Sequence, residues 1–303
     1  MNNLVKVKRI LNTVIPIVAM IMCCAIVVLV YVRLKGQSQQ KPLESYIYLL
    51  IPLSEPISFN TDNIVNSFQG QWGPQISCEL ISDSSVSDQA SSQYLMSNGK
   101  QNLTVSINNL PLPQSSIEML TNPIFGLRDD EKLELRNHKA NISIQYAYGD
   151  KNPNERVIFT GQVLLTLLNL DNAIGYLNVA AQSYRSKGQL INRNILGKKV
   201  LQLEDLYLMF VSTQQVDYGT SYWLHTHGLE QFNLPNLEIT FQDRDKLGYY
   251  QMVLDNMAIY ILENGNILKS GETAEIMGDG VNYLITVRKD EEFPTDIVTI
   301  SRQ

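Results

Sequence analysis

Cysteine is scarce in this 303-residue chain, and where it falls excludes more than its number does. Cys23 and Cys24 sit in an apolar run near the N-terminus, which leaves Cys78 alone in the rest of the chain. A disulfide within that remainder is excluded, and so is a zinc site built on several thiolates. Cys78, in Ile76-Ser-Cys-Glu-Leu-Ile81, reads as a strand residue in the core. Histidine is as rare, with only His138, His225 and His227. Basic clusters are missing as well. No acid precedes Glu44, and five of the 24 Lys and Arg residues lie before residue 36, so 19 bases meet 30 acids beyond it, a net charge of −11. That balance disfavours a binder of nucleic acid or anionic lipid, whose affinity comes from clustered positive charge, and no nucleic-acid partner is expected.

Signatures of common enzyme chemistry are also absent. The chain has no G-x-S-x-G elbow. Gly271-Glu-Thr-Ala-Glu275 and Gly278-Asp-Gly280 lack the lysine and the spacing of a phosphate loop and read as surface turns. Asp243-Arg-Asp245 and Asp290-Glu-Glu292 lack metal-loop spacing and read as solvated.

What is present begins with a long apolar run. Residues 1–9 form a basic flank with Lys6, Lys8 and Arg9, and Ile10 to Val32 then pass without Asp, Glu, Lys or Arg. Such a run makes ~35 Å of helix, enough for a ~30 Å hydrocarbon core. Arg33 and Lys35 close it, and no small-residue cleavage site follows. These features predict a single-pass membrane protein with a transmembrane helix at 10–32 and a linker at 33–44. The flanking charges are nearly balanced and lean toward an N-terminus inside and a body outside.

Residues 45–303 read as one α+β domain of mostly antiparallel sheet with packed helices, with a point of subdivision near 113–137. Tyr46–Leu53 is an apolar run of strand length, Asn60–Gln69 a capped helix, and Gln75–Ser82 a second strand. Tyr94–Met96 and Leu103–Ile107 face each other across the turn-forming Ser97-Asn-Gly-Lys100. His138, Ala140, Ile142, Ile144 and Tyr146 alternate with polar residues, the mark of a half-buried strand. An amphipathic helix is expected over Asn154–Asp171 and another over Lys246–Leu262, ended by Asn264-Gly265. Further strands are expected at Ile174–Ala180, Leu206–Ser212, Tyr222–Thr226 and Leu237–Phe241, with a last one at Tyr283–Val287. The succession strand–helix–strand–strand occurs near 46–108 and again near 138–212, which suggests two related βαββ units in two layers.

One segment concentrates the chemistry: Tyr222-Trp-Leu-His-Thr-His-Gly-Leu-Glu230. On a strand His225 and His227 project to one side, spaced to share a divalent metal with Glu230 or Glu238 as a third ligand and His138 as a further candidate. The plain structural reading is that both imidazoles hydrogen-bond at a strand end beside a turn glycine. Trp223, His225, His227, Glu230 and Glu238 are thus the candidate functional residues.

Taken in order, Ile51-Pro-Leu53, His138-Lys-Ala140, Trp223-Leu-His-Thr-His-Gly-Leu229, Leu237-Glu-Ile239 and Gly271-Glu-Thr273 resemble bacterial domains of unknown function that carry a W-x-H-T-H-G-L segment. The resemblance extends more loosely to toxin-immunity and suppressor-of-fused-like proteins, over about residues 45–300. It implies a bacterial source and one α+β body; such domains are mostly soluble and cytosolic, so the predicted anchor, expected in a bacterial inner membrane, is a departure from them. It implies no catalytic role for His225 or His227. Two functions follow. The preferred one is a membrane-tethered, acidic module for protein–protein recognition, without enzyme activity or cofactor. The alternative is a metal-dependent hydrolase that holds its metal through His225 and His227, where an open coordination position would activate water.

Overall fold

The computed structural model describes residues 47–84, 91–121, 127–149, 152–265, 268–289 and 295–303. Its first sheet forms around a continuous apolar run. Tyr48–Leu53 (β1) is buried over nearly its whole length, so protein covers both its faces. It pairs with Ala140–Gly149 (β5) on one side and Gly175–Asn178 (β6) on the other. Beyond β5 lie Gln101–Asn108 (β4), Ser91–Ser97 (β3) and Ser77–Ser84 (β2), and beyond β6 lies Ser183–Ser186 (β7). Every pair in this sheet, sheet A, is antiparallel.

Successive side chains of β1 go to opposite faces, and each face has its own helices. Leu49, Ile51 and Leu53 join the main core. Thr61–Trp72 (α1) packs there with Ile64, Phe68 and Trp72. It starts where expected, at Asn60, whose side chain accepts the Asn63 N–H at 3.0 Å. On the other face Leu50 and Leu177 meet Ile117 of Gln114–Thr121 (α2) and Leu135 of Asp129–Asn137 (α3). Pro153–Leu168 (α4), with Pro153 pre-set for the first turn, returns to the main core. There Phe159 meets Phe68 edge-on at 6.0 Å between ring centres.

A strand–helix–strand–strand order is present twice, as β1-α1-β2-β3 and β5-α4-β6-β7, but the second run closes with Ser183–Ser186, a strand the sequence reading did not place, and not with Leu206–Ser212. Both runs lie in one sheet, where two layers were expected. The sheet order is β2-β3-β4-β5-β1-β6-β7, so β1 separates β5 from β6 while β5 separates β1 from β4. Each run places its first strand inside the other.

After β7 come the short helix Lys187–Asn192 (α5) and then Leu203–Phe210 (α6). The latter corrects the strand expected at Leu206–Ser212. Leu203, Leu206, Tyr207 and Phe210 fall at helical spacing, and the Gln202 N–H donates to the Asp205 carboxylate at 2.9 Å, closing the first turn. The second sheet, sheet B, follows. It is built from Ser212–Asp217 (β8), Tyr222–His227 (β9), Asn236–Phe241 (β10), Thr273–Glu275 (β11), Asn282–Lys289 (β12) and Asp296–Arg302 (β13). Its order is β11-β12-β13-β10-β9-β8, antiparallel except where β10 and β13 run parallel. Tyr283–Val287 is therefore not the last strand. Leu247–Asn264 (α7) covers one face of sheet B through Tyr250, Val253, Leu254, Met257 and Ile261, and ends at Gly265 (φ 78°) as the sequence indicates.

The membrane assignment is corrected. Among the described residues no helix is long and apolar enough to cross a membrane. The longest, α7, spends its apolar residues on sheet B and leaves Asn256 and Tyr260 exposed. The run at 10–32, its flanks at 1–9 and 33–44, and the orientation read from them lie outside the described residues. Neither a membrane partner nor a membrane location is carried further.

Candidate functional site

Strand β9 alternates. Tyr222, Leu224 and Thr226 point into the protein, where the Tyr222 ring stacks on Phe241 and Phe241 meets Tyr250 of α7. Trp223, His225 and His227 therefore share the opposite face of sheet B. The rings form a continuous ladder. Trp223 and His225 stack nearly parallel, 3.9 Å between centres and 4° between planes. His225 and His227 meet at 4.3 Å and 70°. Toward Trp223 the face is open, since Thr240, Thr286 and Ser301 are exposed. Toward the turn it closes, and His227 is buried.

Register carries this ladder across the sheet. Gln214 on β8, Glu238 on β10, Thr299 on β13 and Thr286 on β12 lie in one row with His225. The Glu238 carboxylate is fixed from three sides. It accepts the Trp223 indole N–H at 3.2 Å and the Thr299 hydroxyl at 2.5 Å, and it pairs with the Arg288 guanidinium at 3.1 Å. Glu238 thus anchors the aromatic ladder. Arg288 and Thr299 had no place in the sequence-derived site, because β12 was not tied to His225 and β13 was not expected. The β-branched alternation of Asp296-Ile-Val-Thr-Ile-Ser-Arg302 was the available signal.

Glu230 has a different duty. It lies in the 3-10 helix Leu229–Phe232 and accepts the Gly228 N–H at 2.8 Å and the Asn236 amide at 3.0 Å. This turn is where the two sheets join. The side chain of Gln231 donates to the Phe210 carbonyl, and its backbone carbonyl accepts from Arg156 of α4 at 3.0 Å. Gly228 has φ 104°, and a Cβ there would stand 2.0 Å from the Phe210 carbonyl oxygen. Glycine is required on both counts. The segment Trp223–Glu230 is thus two devices in succession, a surface ladder and an inter-sheet joint.

His138 stands apart from both. It ends α3 on the far side of sheet A, where its Nε2 accepts the Leu112 N–H at 2.7 Å and its Nδ1–H donates to the Leu135 carbonyl. Among the described residues no group of three His, Cys, Asp or Glu side chains is gathered to hold a metal ion. The expected third ligands are turned to other partners: Glu230 to the joint, Glu238 to Trp223, Thr299 and Arg288.

The electrostatics of the pair follow from its position. Burial, and then the neighbouring His225, pushes His227 down to about 3. Burial also lowers His225, opposed by the Glu238 carboxylate. Both imidazoles are therefore neutral near pH 7, poorly poised to exchange protons there and suited to stacking and neutral hydrogen bonding. Cys78 lies half-buried on the edge strand β2, and burial raises its thiol to about 11, well away from a reactive thiolate.

No curated protein and no solved structure matches the chain. The Trp223–His227 stack, the turn at Gly228–Phe232 and α7 lie within residues 210–291, while their partners Thr299 and Arg156 lie outside; that stretch matches the family model described as Protein of unknown function (DUF4026) C-terminal, so the expected tie to a domain-of-unknown-function family is supported for this part of the chain.

Proposed function

We propose that this chain is a protein-recognition module whose contact surface is the open face of sheet B. One observation carries the reading: Trp223 and His225 form a preorganised stack on a sheet face that no helix among the described residues covers, with the Glu238 carboxylate already fixed on the indole N–H. A tryptophan held by its neighbours loses little side-chain entropy when a partner arrives, and rigid aromatics of this kind anchor protein interfaces. The acidic body fits a partner with a basic surface around that anchor.

The test is site-specific photo-crosslinking in the native cell, with the probe at Thr240 or Thr286. A discrete protein adduct that disappears in the Trp223→Ala chain is expected. Absence of any adduct, or an adduct indifferent to Trp223→Ala, would refute the proposal. The ring contact between His225 and His227 keeps the metal-dependent hydrolase as a second reading. Near-stoichiometric zinc, manganese or iron on the purified chain, lost in a folded His225→Ala/His227→Ala variant, would put that reading first.

A further inference from the structure

A second site lies at the other end of sheet B. The edge strand β11 and helix α7 border an open cleft of about 460 Å³. Met257 and Ile285 form its floor, and Ala274 and the 44 % exposed Tyr260 form its walls. Asn256 ties the helix to the strand side through its amide, 3.4 Å from Met277 Sδ. Residues Thr273 to Glu275 of β11, the edge strand of sheet B, line the cleft, which makes it a slot beside a sheet edge.

The register says which backbone groups face the slot. The Ile285 N–H donates to the Glu272 carbonyl at 2.9 Å, and Ala274 is paired with Tyr283. The Glu272 carbonyl thus faces β12 while its N–H donates to the Lys269 carbonyl at 3.2 Å; antiparallel pairing alternates, so Ala274 turns its N–H and C=O toward β12, and Thr273 and Glu275 turn theirs outward. Among the described residues no strand pairs with β11 on that side. Charge narrows the choice of occupant. Glu272 and Glu275 line the slot and are exposed, and no Lys, Arg or His is among its lining residues.

We infer that this slot takes an extended peptide segment of another protein, which adds as a further strand to β11. An apolar side chain of the peptide enters over Met257 and Ile285, and Lys or Arg side chains meet Glu272 and Glu275. A free sheet edge supplies main-chain hydrogen bonds to such a ligand, and the pocket beside it supplies selectivity. This site is separate from the Trp223 face and stands without it.

The experiment pans a phage-displayed random-peptide library on the full chain, then measures the enriched peptide, made synthetically and labelled, by fluorescence anisotropy. Enriched sequences that combine an apolar residue with Lys or Arg are expected. Thr273→Pro removes an outward N–H and no ladder bond, and it should weaken binding roughly tenfold. Glu275→Gln keeps the acceptor for the Gly280 N–H and should weaken binding a few-fold, less so at high salt. Trp223→Ala should leave the affinity unchanged, which separates this site from the face of sheet B. Methylating alternate backbone nitrogens of the peptide tests the same bonds on the unaltered protein, should Thr273→Pro fail to fold. No enrichment, or an enriched peptide that tolerates both Thr273→Pro and backbone methylation, would overturn the inference.

Discussion

The two sheets solve the same burial problem differently. Sheet A has helices on both faces, so its central strand β1 is apolar at nearly every position and Leu49, Leu50 and Ile51 are all buried. Among the described residues sheet B is covered by α7 on one face, so its strands alternate and Trp223, His225 and Glu238 stand half-buried on the other. The double cover is confined to the centre of sheet A, since β4 alternates in burial and Leu80 and Ile81 stand exposed on the edge strand β2. A singly covered sheet must make its outer face from residues that tolerate water, and that face can then meet a partner. The contrast between the sheets therefore lies between the buried centre of sheet A at β1 and the Trp223 face of sheet B.

Breaking each sheet at its centre should give the largest contrast. Ile51→Ala in β1 is expected to cost about 2–5 kcal/mol, against roughly 0.5 kcal/mol or less for Thr240→Ala on the open face, both read from urea unfolding. Near-equal costs would mean that the outer face of sheet B is packed after all. The joint between the sheets comes next. Gly228→Ala places a Cβ against the Phe210 carbonyl at a positive φ and should cost about 3 kcal/mol. It should also perturb Trp223 fluorescence, because the turn sets the end of the ladder.

A pH series sharpens the comparison further. His227 binds its proton at about 3 in the folded chain, against an ordinary value of 6.5. The unfolded chain therefore takes up a proton that the folded chain refuses. The stability tied to neutral His227 is fully present above the ordinary value and is lost as pH falls from there toward the folded value. By pH 5 the loss should be about 2 kcal/mol, and His227→Gln should remove it, as thermal unfolding at pH 7 and pH 5 would show. Equal pH slopes for the two chains would place His227 in water. Smallest is Trp223→Ala, which gives up the stack on His225 and the bond to Glu238. About 1 kcal/mol is expected in unfolding, a modest cost for a residue on which partner capture should depend.

Several of these features were legible before folding. Asn60 announced α1, Gly265 ended α7, and the alternation read from His138 to Tyr146 marked β5, although the strand begins at Ala140 and His138 caps α3. The His225–His227 spacing placed both rings on one face, which the structure bears out. Other elements were misread because their signal depends on neighbours. Leu206–Phe210 is apolar enough for a buried strand, and its helical state is secured by the Asp205 cap and by packing. Edge strand β8, Ser-Thr-Gln-Gln-Val-Asp, shows no apolar period because neither of its faces is fully buried.

Local periodicity, caps, turns and the pairing of Trp223 with the histidines along one strand follow from the order of residues, since these are set by spacing of a few residues. Folding in three dimensions set the rest: β1 and β5 interlock in one sheet, and Glu230 serves the joint while Glu238 serves the ladder. It also placed His138 far from both. Those outcomes depend on strand order and on register between residues far apart in the chain, and no local pattern of side chains encodes which distant strand becomes a neighbour.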